Sequence, residues 1–303
     1  MSTDFSAQRG ELRALAEARR AVILAHNYQR PEMQDAADFV GDSLELARKA
    51  AATDADVILF AGVHFMAETA KILSPTKTVL MPDRTAGCPM ADMVTAERLR
   101  ALKAEHPGAV VVAYVNSSAE VKAETDVCCT SANAVEIVGR IPADREIIFV
   151  PDQHLGDWVR RQTGRDMTLW PGYCPTHALI LPQDIEARRR EHPGAKVMAH
   201  PECSRAVVDL ADVVTSTSGM LRYPEGDDAR SYIVATEVGL LTGLRKRYPD
   251  RTFVAASDLA VCANMKLGTL EGAIAALRDM SGEVVVPPET AARALRAVER
   301  MVE

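Results

Sequence analysis

Apolar residues in this chain fall in short blocks, not long stripes. AVILAH at 21–26, VILF at 57–60, VVVAY at 110–114, IIFV at 147–150, KVMAH at 196–200 and YIVA at 232–235 are too short for buried helices. Their Val and Ile content suits fully buried strands. Between them lie mixed segments such as TAERLRALKAE at 95–105 and DIEARRRE at 184–191, whose spacing predicts helices. Alternation of such strands and helices calls for a parallel sheet covered on both faces.

The blocks repeat. Glu105-His-Pro-Gly-Ala109 recurs as Glu191-His-Pro-Gly-Ala195, each time after a helical segment and before a strand. In register with it, the first strands end at His26, Tyr114 and His200. Twelve residues on stand Asp38, Asp126 and Asp212 (38 − 26, 126 − 114, 212 − 200), and five further Ser43, Ser131 and Thr217. Cys88, Cys174 and Cys262 follow their aspartates by 50, 48 and 50 residues (88 − 38, 174 − 126, 262 − 212). This predicts an α/β fold of three homologous three-layer α/β/α units, each with a short parallel sheet, around a pseudo-threefold axis. The first unit spans 1–107 with an N-terminal helix, the second 108–193, and the third 194–303 with a C-terminal helix. Ligands of such sheets bind at the carboxyl ends of the strands. All these landmarks, the aspartates included, are expected at or just past such ends, pooled in one central cleft.

Length and composition leave that picture unchanged. The 303 residues are 48% hydrophobic and 25% charged, as in an ordinary soluble protein, and a net charge of −7 without a basic tract argues against nucleic-acid binding. The N-terminal residues lack the apolar core of a secretory signal, and no apolar stretch approaches the roughly 18–20 residues that span a bilayer. A cytoplasmic location is expected, where six cysteines read as ligands, nucleophiles or buried thiols before disulfides.

The repeat selects three of the six. Cys88, Cys174 and Cys262 share one position, whereas Cys128, Cys129 and Cys203 have no counterparts. The first two of those read as buried thiols on a strand. Three converging thiolates suit either zinc with an open or fourth ligand, or a [4Fe–4S] cluster with one iron left free for substrate. Ser43, Ser131 and Thr217 open helices, where a hydroxyl can cap the helix or present itself to an anion. Ser216, Thr217, Ser218 and Gly219 are the best single phosphate candidate, because glycine lets an anion approach the backbone. His26, Tyr28, Tyr114, Asn116, His200 and Glu202 end the first strands and form an acid–base and carboxylate-binding set. His64, His106, His154 and His192 read as structural or exposed. Nucleotide-binding and zinc-protease motifs are absent.

GVHFMAETAKILSPTKTVLMPDRTAGCPMADM at 62–93 resembles the most specific signature of the quinolinate synthases. AHNYQ, YVNSSAEVKAETDVCCTSANA, WPGYCPTH, AHPEC and CANMKLGTLEG fit that family as well, so the resemblance covers essentially the whole chain. It implies a [4Fe–4S] cluster on Cys88, Cys174 and Cys262, with one open iron site. It also implies condensation of iminosuccinate with dihydroxyacetone phosphate to quinolinate, phosphate and water in NAD biosynthesis. His26, Ser43, Tyr114, Val115, Asn116, Ser131, His200, Pro201, Glu202 and Thr217 would bind substrate. Glu202, Tyr28, Tyr114 and His200 would carry the catalytic proton transfers. A functional link to the L-aspartate oxidase that supplies iminosuccinate is expected, with no membrane partner. Some members carry further cysteines beside the third ligand; here only Cys262 stands there, which removes a redox switch built on such neighbours. An aconitase-like hydro-lyase and an iron–sulfur metabolite sensor are the other readings of the same cysteines.

Overall fold

The computed structural model describes residues 5–303, so part of the N-terminal stretch read for a signal, residues 1–4, lies outside the described residues. The chain forms three four-stranded sheets, all parallel and wound in the same order. The first holds β1 (Ala21–His26), β2 (Phe39–Gly41), β3 (Val57–Ala61) and β4 (Thr78–Leu80), ordered β2-β1-β3-β4. The second holds β5 (Val110–Tyr114), β6 (Val127–Cys129), β7 (Ile147–Val150) and β8 (Thr168–Leu169), ordered β6-β5-β7-β8. The third holds β9 (Lys196–Ala199), β10 (Val213–Val214), β11 (Ser231–Ala235) and β12 (Thr252–Ala255), ordered β10-β9-β11-β12.

Strand periodicity explains the layers. In the first sheet Ile23, Ala25, Leu59 and Ala61 join one apolar cluster, completed by the helices Ser6–Ala18 and Leu270–Asp279. Leu24, Ile58 and Phe60 point the other way, into the large core shared with the second sheet. With both faces covered, the strands have no polar side to alternate with, which is why they read as continuous apolar runs.

The repeated aspartates belong to this scaffold and not to the cleft. Asp38, Asp126 and Asp212 precede β2, β6 and β10, at the amino ends of those strands, which corrects the expectation that they face a ligand. Each carboxylate accepts the backbone N–H of a residue in its unit's first strand: Ile23 at 2.8 Å, Val111 at 2.8 Å and Val197 at 2.7 Å. Each aspartate N–H also donates to the carbonyl of the same residue, at 2.9, 3.1 and 2.9 Å. The paired bonds lock the second strand to the first, so the chemistry repeats because the architecture does.

Tight turns recur at the strand entries. Gly108 and Gly194, in the two Glu-His-Pro-Gly-Ala segments, adopt φ of +87° and +81°. Aligned on the strand ends, the first unit's equivalent is Arg20 (108 − 88 = 20 and 194 − 174 = 20, with offsets 114 − 26 = 88 and 200 − 26 = 174). Arg20 adopts the same left-handed turn, with φ of +50°. The C-terminal segment then returns to the start of the molecule. Val284 N–H donates to Val79 at 2.8 Å, Met81 N–H to Gly282 at 3.0 Å, and the helix Pro288–Val302 packs on β6 and on helices of the first two sheets.

Candidate active site

The carboxyl ends of all three sheets open onto one cavity of about 290 Å³. His26, Tyr28, Ser43, Cys88, Tyr114, Asn116, Ser131, Cys174, His200, Glu202, Thr217 and Cys262 all line it. Of the residues expected there, Val115 and Pro201 do not: Val115 is buried, with its N–H on the Cys129 carbonyl at 2.8 Å, and Pro201 is buried outside the lining.

One backbone contact, repeated three times, carries the cysteines to the cavity. His64 N–H donates to Ala86 at 2.8 Å, Gln153 to Gly172 at 2.8 Å and Val238 to Ala260 at 3.0 Å. Each acceptor lies two residues before its cysteine, so the loop after each fourth strand is pinned to the chain leaving the third. Asn264 Nδ2 also donates to Gly87 at 2.8 Å, tying the Cys262 loop to the Cys88 loop. All six cysteines are unpaired. Cys128 and Cys129 are fully buried on β6, and Cys203 is buried with its thiol donating to the Ala235 carbonyl, so these three are packing groups.

The hydroxyl triplet is placed differently from a set of plain caps. Asp42 caps the helix Ser43–Ala52, accepting from Leu44 and Glu45 N–H at 3.1 and 3.0 Å, and Ser216 caps the helix Thr217–Arg222. Ser43 and Thr217 are therefore the first helical residues, not the caps. Ser131 lies in the turn before the helix Ala134–Gly139, with its Oγ 3.2 Å from His200 Nε2. Gly219 does not open the backbone to an anion: its N–H goes to the Ser216 cap, and a Cβ there would lie 2.0 Å from Thr215 Oγ1. Packing against Thr215 explains that glycine.

A continuous hydrogen-bonded path crosses the cavity wall. Tyr28 Oη lies 2.5 Å from Thr236 Oγ1, which lies 2.9 Å from His177 Nε2; His177 Nδ1 is 2.7 Å from Glu202 Oε2, and Tyr114 donates to Glu202 Oε1 at 2.6 Å. His177 also stacks on His200, with centroids 4.8 Å apart, and its Nδ1 lies 3.2 Å from Cys174 Sγ.

Burial sets the charges. Desolvation alone would raise Glu202, but its interactions with the His177 and His200 imidazoles and the hydrogen bonds from His177 and Tyr114 outweigh it, and the carboxyl is held well below its usual range. His26 and His200 are pushed down to about 3, by burial first, despite the opposing pull of Glu202, so both are neutral imidazoles near neutral pH. Tyr28 and Tyr114 are raised, by burial and then by the Glu202 charge. Burial also lifts all three thiols, Cys88 to about 12. Asp152, buried at the end of β7 with Oδ2 unpartnered, is likewise raised, by burial and then Glu202.

A family model described as "Quinolinate synthetase A protein" matches residues 10–303. The chain belongs to the quinolinate synthetase A family. Its relatives include the quinolinate synthase of Dehalococcoides mccartyi strain CBDB1, 56% identical over 288 residues that cover 95% of each chain. That of Geobacter metallireducens is 54% identical over 292 residues, 96% of each. Quinolinate synthase 1 of Methanosarcina acetivorans is 51% identical over 291 residues, 96% of this chain and 95% of that one.

Within this family frame, sequence reasoning passed over His177 and Glu237, which line the cavity, and Thr236, which is buried and hydrogen-bonded to His177. His177 carried a readable signal: it follows Cys174 by three residues, one helical turn, on the short helix Pro175–Ala178. Thr236 and Glu237 follow β11; Thr236 has no chemical equivalent in the sister units, where Pro151 and Gly62 stand, and Glu237 is matched by Asp152 in the second unit and by Val63 in the first. His64 is partly exposed beside Glu68 at 3.7 Å, and His154, half-buried, lies outside the cavity lining. No helix among the described residues is long and apolar enough to cross a membrane.

Metal-binding chemistry is available here. Besides the three soft thiols, Cys174, His177 and Glu202 offer ligand atoms within 4.8 Å of one another. His177 and Glu202 are already committed to each other, to Thr236 and to Tyr114, whereas Cys88, Cys174 and Cys262 line one cavity from three loops. The thiol set is the better fit to a metal, and specifically to a thiolate-held one.

Proposed function

We propose that this chain is a quinolinate synthase of NAD biosynthesis, condensing iminosuccinate with dihydroxyacetone phosphate to quinolinate, phosphate and water. The observation that carries the proposal is the presence of one cysteine from each repeated unit in the lining of a single cavity that also holds the Glu202 network. In this reading the units, divided near residues 107 and 193, stand around a pseudo-threefold axis. The names of the relatives support the activity, and reduced thiols suit a cytoplasmic enzyme. An L-aspartate oxidase would supply the iminosuccinate.

Cys88, Cys174 and Cys262 would hold a [4Fe–4S] cluster. Bound there, it supplies one iron free of protein ligands, a Lewis acid for a carboxylate or hydroxyl of the substrate. The protein's own groups do the rest. Ser43, Ser131 and Thr217 offer hydroxyls to carboxylate and phosphate oxygens, and Asn116, whose Oδ1 is buried without a partner, awaits a donor from the substrate. The neutral imidazoles of His26 and His200 donate or accept hydrogen bonds without adding charge.

With His177 protonated at Nδ1, that nitrogen donates to Glu202 and leaves Nε2 to accept from Thr236. Thr236 in turn accepts from Tyr28. A proton leaving the Tyr28 phenol can therefore pass through Thr236 to His177, where the Glu202 carboxylate stabilises the resulting cation. Tyr114, also donating to Glu202, is the second acid within reach. Such a relay serves phosphate loss, tautomerisation and ring dehydration, each of which needs a proton removed and another delivered.

The test is an anaerobic assay of the reconstituted protein with both substrates. Quinolinate and one equivalent of phosphate are expected. Hydration or dehydration of a hydroxy acid with no quinolinate formed would instead favour a hydro-lyase.

A further inference from the structure

The Glu237 carboxylate stands at the base of the Cys262 loop, fully buried and outside the proton path. Its Oε1 accepts the backbone N–H of Cys262 at 3.1 Å, and its Oε2 that of Gly239 at 2.7 Å. Lys266 Nζ lies 2.9 Å from Oε1 and also donates to the Tyr28 carbonyl. These groups converge so closely that a Cβ on Gly239 would stand 2.7 Å from Glu237 Oε2, 2.8 Å from Lys266 Nζ and 2.8 Å from Tyr28 O. The first unit has Val63 at the corresponding place, two residues past the end of its third strand, with no acceptor to offer.

We infer that Glu237, held by Lys266, is a positioning residue: it fixes the Cys262 thiolate toward a bound cluster and couples that loop to Tyr28. The inference rests on the proposed cluster and extends it to a group outside the three sulfur ligands. A backbone N–H tied to a buried carboxylate restrains rotation of the Cys262 peptide, and with it the direction of the sulfur. Loss of such outer support at metal sites typically costs about 10–100-fold in affinity or activity.

Two variants separate reach from charge. Glu237→Asp keeps the charge and the Lys266 partner but withdraws the carboxylate from the Cys262 N–H. Glu237→Gln keeps the length and one acceptor but loses the charge. The readouts are iron release from the anaerobically reconstituted protein to a chelator and the electron paramagnetic resonance spectrum of the reduced cluster. Glu237→Asp is expected to release iron about tenfold faster or more, with a shifted spectrum, and Glu237→Gln to fall between it and the parent. Parent-like iron retention in Glu237→Asp, or faster release from Glu237→Gln than from Glu237→Asp, overturns the inference. A parent protein that binds no iron and sulfide at all would instead refute the cluster itself.

Discussion

His177 Nδ1 lies 2.7 Å from Glu202 Oε2, and this contact makes one path of two tyrosines that do not touch the same atom. Tyr114 reaches Glu202 directly, and Tyr28 reaches it only through Thr236 and His177. The two phenols are therefore not interchangeable. Replacing His177 by Gln should lower kcat by about 10²-fold or more, the usual contribution of a positioned proton-transfer group, with little change in KM. Iron content measured beside the kinetics should stay at the parent level; loss of iron in step with activity would make His177 a support for Cys174 instead.

Thr236→Val removes the link between Tyr28 and His177 at nearly constant volume. It should reproduce the His177 defect, and the double variant should be scarcely worse than either single one, because both cut one path. Additive losses in steady-state kinetics would show that the two side chains act separately.

Asp126→Ala tests the scaffold alone. It deprives the Val111 N–H of its carboxylate acceptor and should cost about 1–2 kcal/mol in urea unfolding. Activity of the folded fraction should be unchanged, since the side chain sits at the amino end of β6, away from the cavity. A stability equal to the parent's would remove the strand-locking role of the repeated aspartates.

Arg20→Gly probes the left-handed turn. A non-glycine residue there costs about 1–2 kcal/mol, partly offset by the greater freedom glycine has in the unfolded chain. The exposed ion pair with Asp56, at 3.1 Å, contributes little against this. A net gain of about 0.5–1 kcal/mol in thermal unfolding is expected, and a loss would show that the ion pair outweighs the backbone strain.

Acid should destabilise the metal-free protein through its buried imidazoles. His26 and His200 lie near 3 in the folded protein, against an ordinary 6.5. Between these values the unfolded chain binds more protons, so stability falls as pH drops from about 6.5 toward 3 and is fully present above that window. His200→Gln should reduce the pH slope of unfolding by the share of one proton. An unchanged slope would mean that His200 is not held neutral.

Much of the architecture was legible because the sequence repeats it. Matched strand ends, aspartates and cysteines defined three units, and the cysteines that lacked counterparts proved to be packing groups. The same logic misled where a repeated residue serves the scaffold: Asp38, Asp126 and Asp212 recur because each locks two strands. Arg20 was hidden for the opposite reason, since backbone geometry is conserved there while the side chain is not glycine. His177 and Thr236 escaped because they break the repeat, and Glu237 because the repeat matches it only in the second unit, with Asp152. His177 comes from the second unit and Thr236 and Glu237 from the third, and such asymmetry becomes visible only when distances are known.

The most direct measurement is iron and acid-labile sulfide per chain after anaerobic reconstitution, for the parent and for Cys88→Ser, Cys174→Ser, Cys262→Ser and the control Cys203→Ser. About four of each are expected in the parent and in Cys203→Ser, with loss of the visible chromophore in each of the other three. A parent that takes up a single zinc ion, or a Cys88, Cys174 or Cys262 variant that keeps its full iron and sulfide, would contradict the account.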